Sequence, residues 1–281
     1  MTTIDIDRDI HTWLERARAS ASEQRFDEAR EALDAAEHIA EESASPRCDA
    51  WYYQAKSQVH DLAGERDDAT SWMKGAGMAL RQLVISEDDL ESTLEFAANR
   101  LEVAERLDDD GDCAQAASIL DESISRLAVR KEPECIHPRA EAAVNRAVYL
   151  THLGRDDEAL LAANQSLDLH DDCDECHDER ANALGVIGEL HGRFGRCADA
   201  VDAYRRAFED WETCGHDMNC RNVTRFRMMF ATELRHVGAF DDAIVEFQRV
   251  THWLDTEEHT YPLAEQAGMH EELGMALEEC E

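Results

Sequence analysis

The chain has 281 residues, and its 63 acidic residues against 28 lysines and arginines give a formal net charge of −35. Nucleic acids and anionic membranes bind basic surfaces, so we expect neither as a partner. No stretch approaches the ~20 apolar residues of a membrane span, and the N-terminus has no signal-peptide pattern, so we predict a cytoplasmic protein.

A short phrase that ends in alanine recurs along the chain at separations of 40 to 47 residues. Its six alanines are Ala29, Ala69, Ala116, Ala159, Ala200 and Ala243. In five of the phrases a glycine stands five residues before the alanine, where a left-handed backbone ends one helix. An acidic residue between the two favours the N-terminus of the next helix. With only four prolines in the chain, this pattern predicts an all-α protein built from helix-turn-helix corners.

Bulky residues precede small ones before these corners, as in Trp13 with Ala17, Tyr53 with Ser57 and Leu184 with Gly188. These pairs and the turn phrase resemble the tetratricopeptide repeat family. The resemblance implies a right-handed superhelical solenoid of antiparallel helix pairs. The period is longer than the roughly 34 residues usual for the family. The repeats are therefore more similar to the extended repeats of kinesin-light-chain-like and bacterial regulatory members.

We predict one continuous solenoid over residues 1–281, with about six repeats and a C-terminal capping helix. The predicted boundaries are 8–45, 46–88, 89–132, 133–172, 173–216 and 217–258 for the repeats and 261–281 for the capping helix. The last segment is an acidic amphipathic helix, suited to covering the terminal apolar face of a solenoid. It could instead dock a second copy, so a homo-oligomer is an open alternative.

In the family resemblance, the first helix of each repeat faces a concave groove that binds a protein or peptide. The implied groove residues are Glu141, Val144, Thr151, His152, Asn182, Glu189, Arg193, Arg225, Met228, Arg235 and His236. Arginines concentrate in the last two repeats, and a planar guanidinium suits a carboxylate. We therefore expect a ligand with an acidic group, with Arg225 and Arg235 as its best candidates. The alternative is that these arginines pair with neighbouring Asp and Glu.

A second candidate site is the group of cysteines and histidines in two successive loops. Two thiolates at Cys-x-x-Cys spacing are typical of a zinc site. The predicted ligands are Cys173, Cys176, Cys214 and Cys220, with His170, His177 and His216 as substitutes. The alternatives are free thiols in a reducing cytosol and a thiol-disulfide switch. Cys113 and Cys197 stand at the turn position where the family has an aromatic residue, so we predict small buried hydrophobes there.

The sequence contains no glycine-rich phosphate loop, no Gly-x-Ser-x-Gly elbow and no His-Glu-x-x-His helix. We therefore predict a non-enzymatic adaptor or scaffold that binds protein or peptide segments and requires no cofactor. A peptide-sensing regulatory protein is the first alternative. A module stapled by structural zinc, or one that responds to redox state, is the second.

Overall fold

The computed structural model describes residues 3–170, 177–215, 217–218, 220–256 and the single positions 271, 274, 275 and 278. Within these residues the backbone forms twelve α-helices and one 3-10 turn, Pro133–Cys135, and no β-strand. The helices are α1 (Thr3–Ser22), α2 (Phe26–Ser43), α3 (Pro46–Leu62), α4 (Arg66–Glu87), α5 (Leu90–Asp109), α6 (Cys113–Ala128), α7 (Ile136–His152), α8 (Asp156–His170), α9 (His177–Arg193), α10 (Cys197–Cys214), α11 (Arg221–His236) and α12 (Phe240–Thr256). The predicted all-α fold is confirmed. The predicted capping helix, 261–281, lies almost entirely outside the described residues.

The helices form two compact units, Met1–Ala142 and Ala143–Glu281. In the first unit α1 packs on α2, α3 on α4 and α5 on α6, and α4 also contacts α5. In the second unit α9 packs on α10 and α11 on α12, while α11 also contacts α9 and α10. Three-residue turns separate the members of most pairs, so each second helix runs back along the first. Consecutive antiparallel pairs are the arrangement that the repeats predicted.

Each corner has the backbone that the turn phrase predicted. The five turn glycines have φ between 69° and 82°, a region that residues with a Cβ seldom occupy. They are Gly64, Gly111, Gly154, Gly195 and Gly238. In the first repeat Gln24 takes the same conformation, with φ of 61°. The six phrase alanines are completely buried at 0% exposure, because each lies where two helices meet.

The core of the second unit is an aromatic cluster carried by α10 and α11. The ring of Phe226 lies 6.2 Å from that of Tyr204 and 5.7 Å from that of Trp211, measured between centroids. Each such pair adds about 0.5–1.5 kcal/mol to the stabilisation from burial alone. Two glycines of α9 face these rings. A Cβ on Gly185 would lie 2.9 Å from Phe226, and a Cβ on Gly188 would lie 2.8 Å from Tyr204. Glycine therefore lets α9 approach the cluster.

We predict that Gly188→Ala destabilises the protein by about 1–3 kcal/mol, because the added methyl group overpacks the contact with Tyr204. Alanine has the better helix propensity, so the loss cannot come from the helix itself. The measurement is the free energy of unfolding from urea titration.

Gly75→Ala in α4 is the matched control. There a Cβ would meet Tyr53 at 3.6 Å, an ordinary van der Waals contact, so we expect stabilisation of up to about 1 kcal/mol. Equal effects of the two substitutions would show that the close approach of α9 is not a constraint.

Candidate functional site

The second unit contains an open groove between the first helices of its last two repeats, α9 and α11. Its volume is about 430 Å³. The lining residues are Glu189, Gly192, Arg193, Tyr204, Met228, Met229, Thr232 and Glu233. We call this surface the α9–α11 groove. Its apolar part comes from the two methionines and from Tyr204 of α10, and its charged part comes from the ends of both helices.

Three of the predicted groove residues line this groove: Glu189, Arg193 and Met228. Two others lie beside it. Arg225 Nη1 is 3.4 Å from Glu189 Oε2, which links α11 to α9 by an ion pair. Asn182 Oδ1 accepts a hydrogen bond of 3.0 Å from Asn222 Nδ2, which links the same helices nearer their N-termini. The fifth and sixth repeats therefore bring half of the predicted set onto one surface.

The predicted residues of the fourth repeat lie differently. Val144 and Thr151 are buried, at 5% and 4% exposure, and Thr151 Oγ1 donates to Ala147 O of its own helix. Their side chains therefore offer almost no surface to a ligand. His152 is exposed at the end of α7. Glu141 is half-buried in the first unit, where its charge helps to raise the pKa of Glu105, an effect second to burial of that carboxyl.

The last two predicted residues lie at the C-terminal end of α11. Arg235 is half-buried, and its Nη2 is 3.5 Å from His236 Nε2. The other ring nitrogen of His236, Nδ1, is 3.5 Å from Glu233 Oε2. Arg235 and His236 therefore adjoin the α9–α11 groove through Glu233, which lines it.

Counting back from the turn glycines also assigns Gly192 and Thr232 to the groove, but it misses three lining residues, Tyr204, Met229 and Glu233. Tyr204 follows Ala200 at helical spacing, which indicates a core position on the second helix. Its ring is indeed buried, and burial raises the pKa of its hydroxyl, with the charges of Glu189 and Glu233 acting in the same direction. The sequence signal for Tyr204 is Gly188. A glycine on the facing helix lets the aromatic ring lie directly against that helix.

Several arginines of this unit have carboxylate partners within it. Arg193 Nη2 lies 3.1 Å from Asp156 Oδ1, and Arg227 Nη1 lies 2.7 Å from Glu246 Oε2. Arg180 holds Asp210 through two nitrogens, with Nε donating to Oδ2 at 2.7 Å and Nη2 donating to Oδ1. Asp210 is only 8% exposed. These pairs are those that the alternative interpretation of the arginines predicted.

Only some of the predicted zinc ligands lie within the described residues. Cys173, Cys176 and His216 lie outside the described residues. His170 is completely buried, and His177 Nδ1 accepts a hydrogen bond from Arg180 Nη2 at 3.0 Å. Cys214 is exposed and donates to Trp211 O at 3.3 Å, while Cys220 is half-buried directly before α11. The loop zinc site therefore stays a prediction.

Comparison with known proteins supports the predicted family. Residues 138–213 match the sequence model of the family described as Tetratricopeptide repeat. No curated protein matches the chain. Among the described residues, no helix combines the length and apolar character needed to cross a membrane. The predicted resemblance to tetratricopeptide repeats is confirmed.

Solved structures share the fold at low sequence identity. The apo form of RapI matches with a TM-score of 0.69 at 14% identity, covering 89% of this chain and 66% of RapI. Aspartyl phosphate phosphatase F from Bacillus subtilis has a TM-score of 0.61 at 11% identity, covering 90% of this chain and 75% of that one. The pilF protein of Pseudomonas aeruginosa has a TM-score of 0.58 at 13% identity, covering 90% and 95%. At such identities the likeness shows the fold alone.

We predict that Asp210→Asn destabilises the protein by about 2 kcal/mol, because it leaves the Arg180 guanidinium without its charged partner. The loss stays below the ~3–5 kcal/mol of a fully buried pair, since a quarter of the Arg180 side chain is exposed. Asp202→Asn, on the same helix, removes only an exposed pair with Arg205 at 3.9 Å, and we expect a change below about 0.5 kcal/mol. Thermal unfolding measures both, and equal losses would contradict the structural role of Asp210.

Proposed function

We propose that this chain, whose fold and repeats are those of tetratricopeptide repeat proteins, is a non-enzymatic module that binds a protein or peptide segment in the α9–α11 groove. The observation that carries the proposal is the groove itself. It is a concave surface between two first helices, with apolar and charged residues side by side. Pockets that bind ligands combine an apolar lining with a few placed polar groups.

The apolar part of the groove suits a side chain of a bound segment. Met228 and Met229 are both half-buried and therefore present part of their thioether side chains. Methionine adapts its shape to different apolar partners at little cost, because it is unbranched and flexible. Tyr204 lies below the two methionines and is held by its contacts with Phe226 and Phe230. This part of the groove is therefore rigid, whereas the methionine side chains adapt.

The charged part of the groove is balanced, although the whole chain carries −35. Glu189 and Glu233 oppose Arg193 and Arg225 around the same surface. Arg225 pairs with Glu189 through Nη1, and 31% of its side chain is exposed. A guanidinium has five N–H donors, so one carboxylate partner does not exhaust it. An acidic group of the ligand at Arg225 therefore belongs to the proposal.

Two alternatives share this groove. In the adaptor, the ligand is a segment of a whole protein that the module holds in place. In a peptide-sensing regulator, a free peptide occupies the groove and changes the affinity for another partner. Stabilisation against heat by a synthetic peptide favours the sensor, whereas a stable complex with a folded partner protein favours the adaptor. The cytoplasmic location predicted from the sequence remains part of the proposal, and self-association remains an open alternative.

We predict that Met228→Asp weakens the binding of a groove peptide by about tenfold or more, because it places a charge where an apolar side chain docks. The peptide is selected from a phage-displayed library and then measured by fluorescence anisotropy. Met78→Asp in α4 is the control, since Met78 is 70% exposed and distant in sequence. Equal affinities of the Met228→Asp variant and the unaltered protein would show that the peptide binds at a different surface.

We predict that Arg225→Gln weakens the binding of an acidic peptide by about tenfold, but leaves the binding of its Asn or Gln analogue unchanged. The difference isolates the carboxylate from the rest of the ligand. Arg206→Gln serves as the control because Arg206 is exposed on the second helix α10. A uniform loss for both peptides would assign Arg225 a structural role through Glu189 instead.

A further inference from the structure

A cysteine, a glutamate and a histidine from two adjacent repeats meet at one end of the second unit. Cys197 begins α10, while Glu233 and His236 lie in the last turn of α11. One ligand atom from each lies within 4.8 Å of the other two. The His236 Nδ1 to Glu233 Oε2 distance is 3.5 Å. Two ligands of a tetrahedral zinc ion at ~2.1 Å are separated by about 3.4 Å, so this pair already has the required spacing.

Glu233 brings an unsatisfied carboxylate oxygen to this cluster. Its side chain is only 12% exposed, and Oε2 accepts no hydrogen bond from the part of the chain that the structure describes. A largely buried carboxylate oxygen without a hydrogen bond lowers the stability of the fold, because its desolvation is not compensated. The same carboxylate is hydrogen-bonded to the Cys197 thiol, and this bond raises the pKa of that thiol, with burial acting in the same direction. A cation would satisfy the carboxylate and displace the thiol proton together.

We propose that Cys197, Glu233 and His236 form a binding site for a divalent transition metal of the zinc class. Thiolate, imidazole and carboxylate are the ligand types that zinc takes, whereas calcium and magnesium prefer oxygen alone. Three protein ligands leave the fourth position of a tetrahedral ion to water or to a group from outside the protein. The site is separate from the two predicted loops. The proposal does not rest on peptide binding, although Glu233 also lines the α9–α11 groove.

The cysteine and the histidine stand at positions of the repeat where the same two residue types occur a second time. Cys197 and His236 are 39 residues apart in the sequence. The cysteine begins the second helix of one repeat, and the histidine ends the first helix of the following repeat. Cys113 and His152 have the same separation, with Cys113 at the start of α6 and His152 at the end of α7. The same two ligand types thus recur at matching positions of the repeat.

Arg235 provides a way to distinguish a metal site from a cluster of hydrogen bonds. Its Nη2 lies 3.5 Å from His236 Nε2, so a metal at Nδ1 leaves a protonated Nε2 facing a guanidinium. The arginine therefore opposes metal binding through its charge. Removing that charge should strengthen the affinity for a cation, whereas a purely structural hydrogen-bond cluster would gain nothing.

The test uses cobalt as the probe in the full chain, with Cys173, Cys176, Cys214 and Cys220 replaced by serine to remove the loop cysteines. We expect this chain to bind Co²⁺ with a thiolate-to-cobalt charge-transfer band in the near-ultraviolet. Adding Cys197→Ser should remove one equivalent of Co²⁺ and its band. Glu233→Gln and His236→Asn should weaken the affinity by about 100-fold or more. Arg235→Gln should tighten it.

Two results would overturn the proposal. The first is a folded four-serine chain that binds no Co²⁺. If the unaltered chain does bind it, the metal site lies in the predicted loops instead. The second is a charge-transfer band that survives Cys197→Ser unchanged. Circular dichroism checks that each variant is folded. Should the four-serine chain not fold, Cys197→Ser and Cys214→Ser in the otherwise unaltered chain give the same comparison, and only the former should lose an equivalent.

Discussion

The close approach of helix backbones is the constraint on which the second unit depends. Two helices can bring their backbones unusually close only where one of them has a very small side chain at the contact. Ala159, Ala200 and Ala243 meet this condition beside the turns, and each is fully buried. In α9 the condition is stricter, since even a methyl group on Gly188 would lie 2.8 Å from Tyr204. The spacing of α9, α10 and α11, and with it the floor of the α9–α11 groove, follows from these few positions.

Much of the fold could be predicted because the constraint is local. A glycine that ends a helix, an acidic residue that begins the next and an alanine behind them are all within six residues of one another. They predict the turn between α9 and α10, and the structure places it at residues 194–196. The site was less predictable. Counting back from the turn gives the helical position of Thr151 but not the neighbour that buries it, because burial depends on residues far away in sequence.

The distribution of charge illustrates the same limit. Composition gives an acidic chain, and the sequence shows that its arginines concentrate in the last two repeats. Only the structure shows the individual partners, such as Asp156 for Arg193 and Glu189 for Arg225. These partners lie in the preceding repeat, about one repeat length earlier in the sequence. The arginines thus join successive repeats, and a ligand must engage donors that already have one carboxylate partner.

Glu233 connects the two surfaces of this unit. It lines the α9–α11 groove, and it is also hydrogen-bonded to Cys197 and lies near His236. A metal held by these three residues would fix the glutamate and offset its negative charge at the groove. An acidic ligand would then meet less repulsion, so metal and ligand would favour each other's binding. Because such coupling is reciprocal, the ligand would raise the affinity for metal by the same factor.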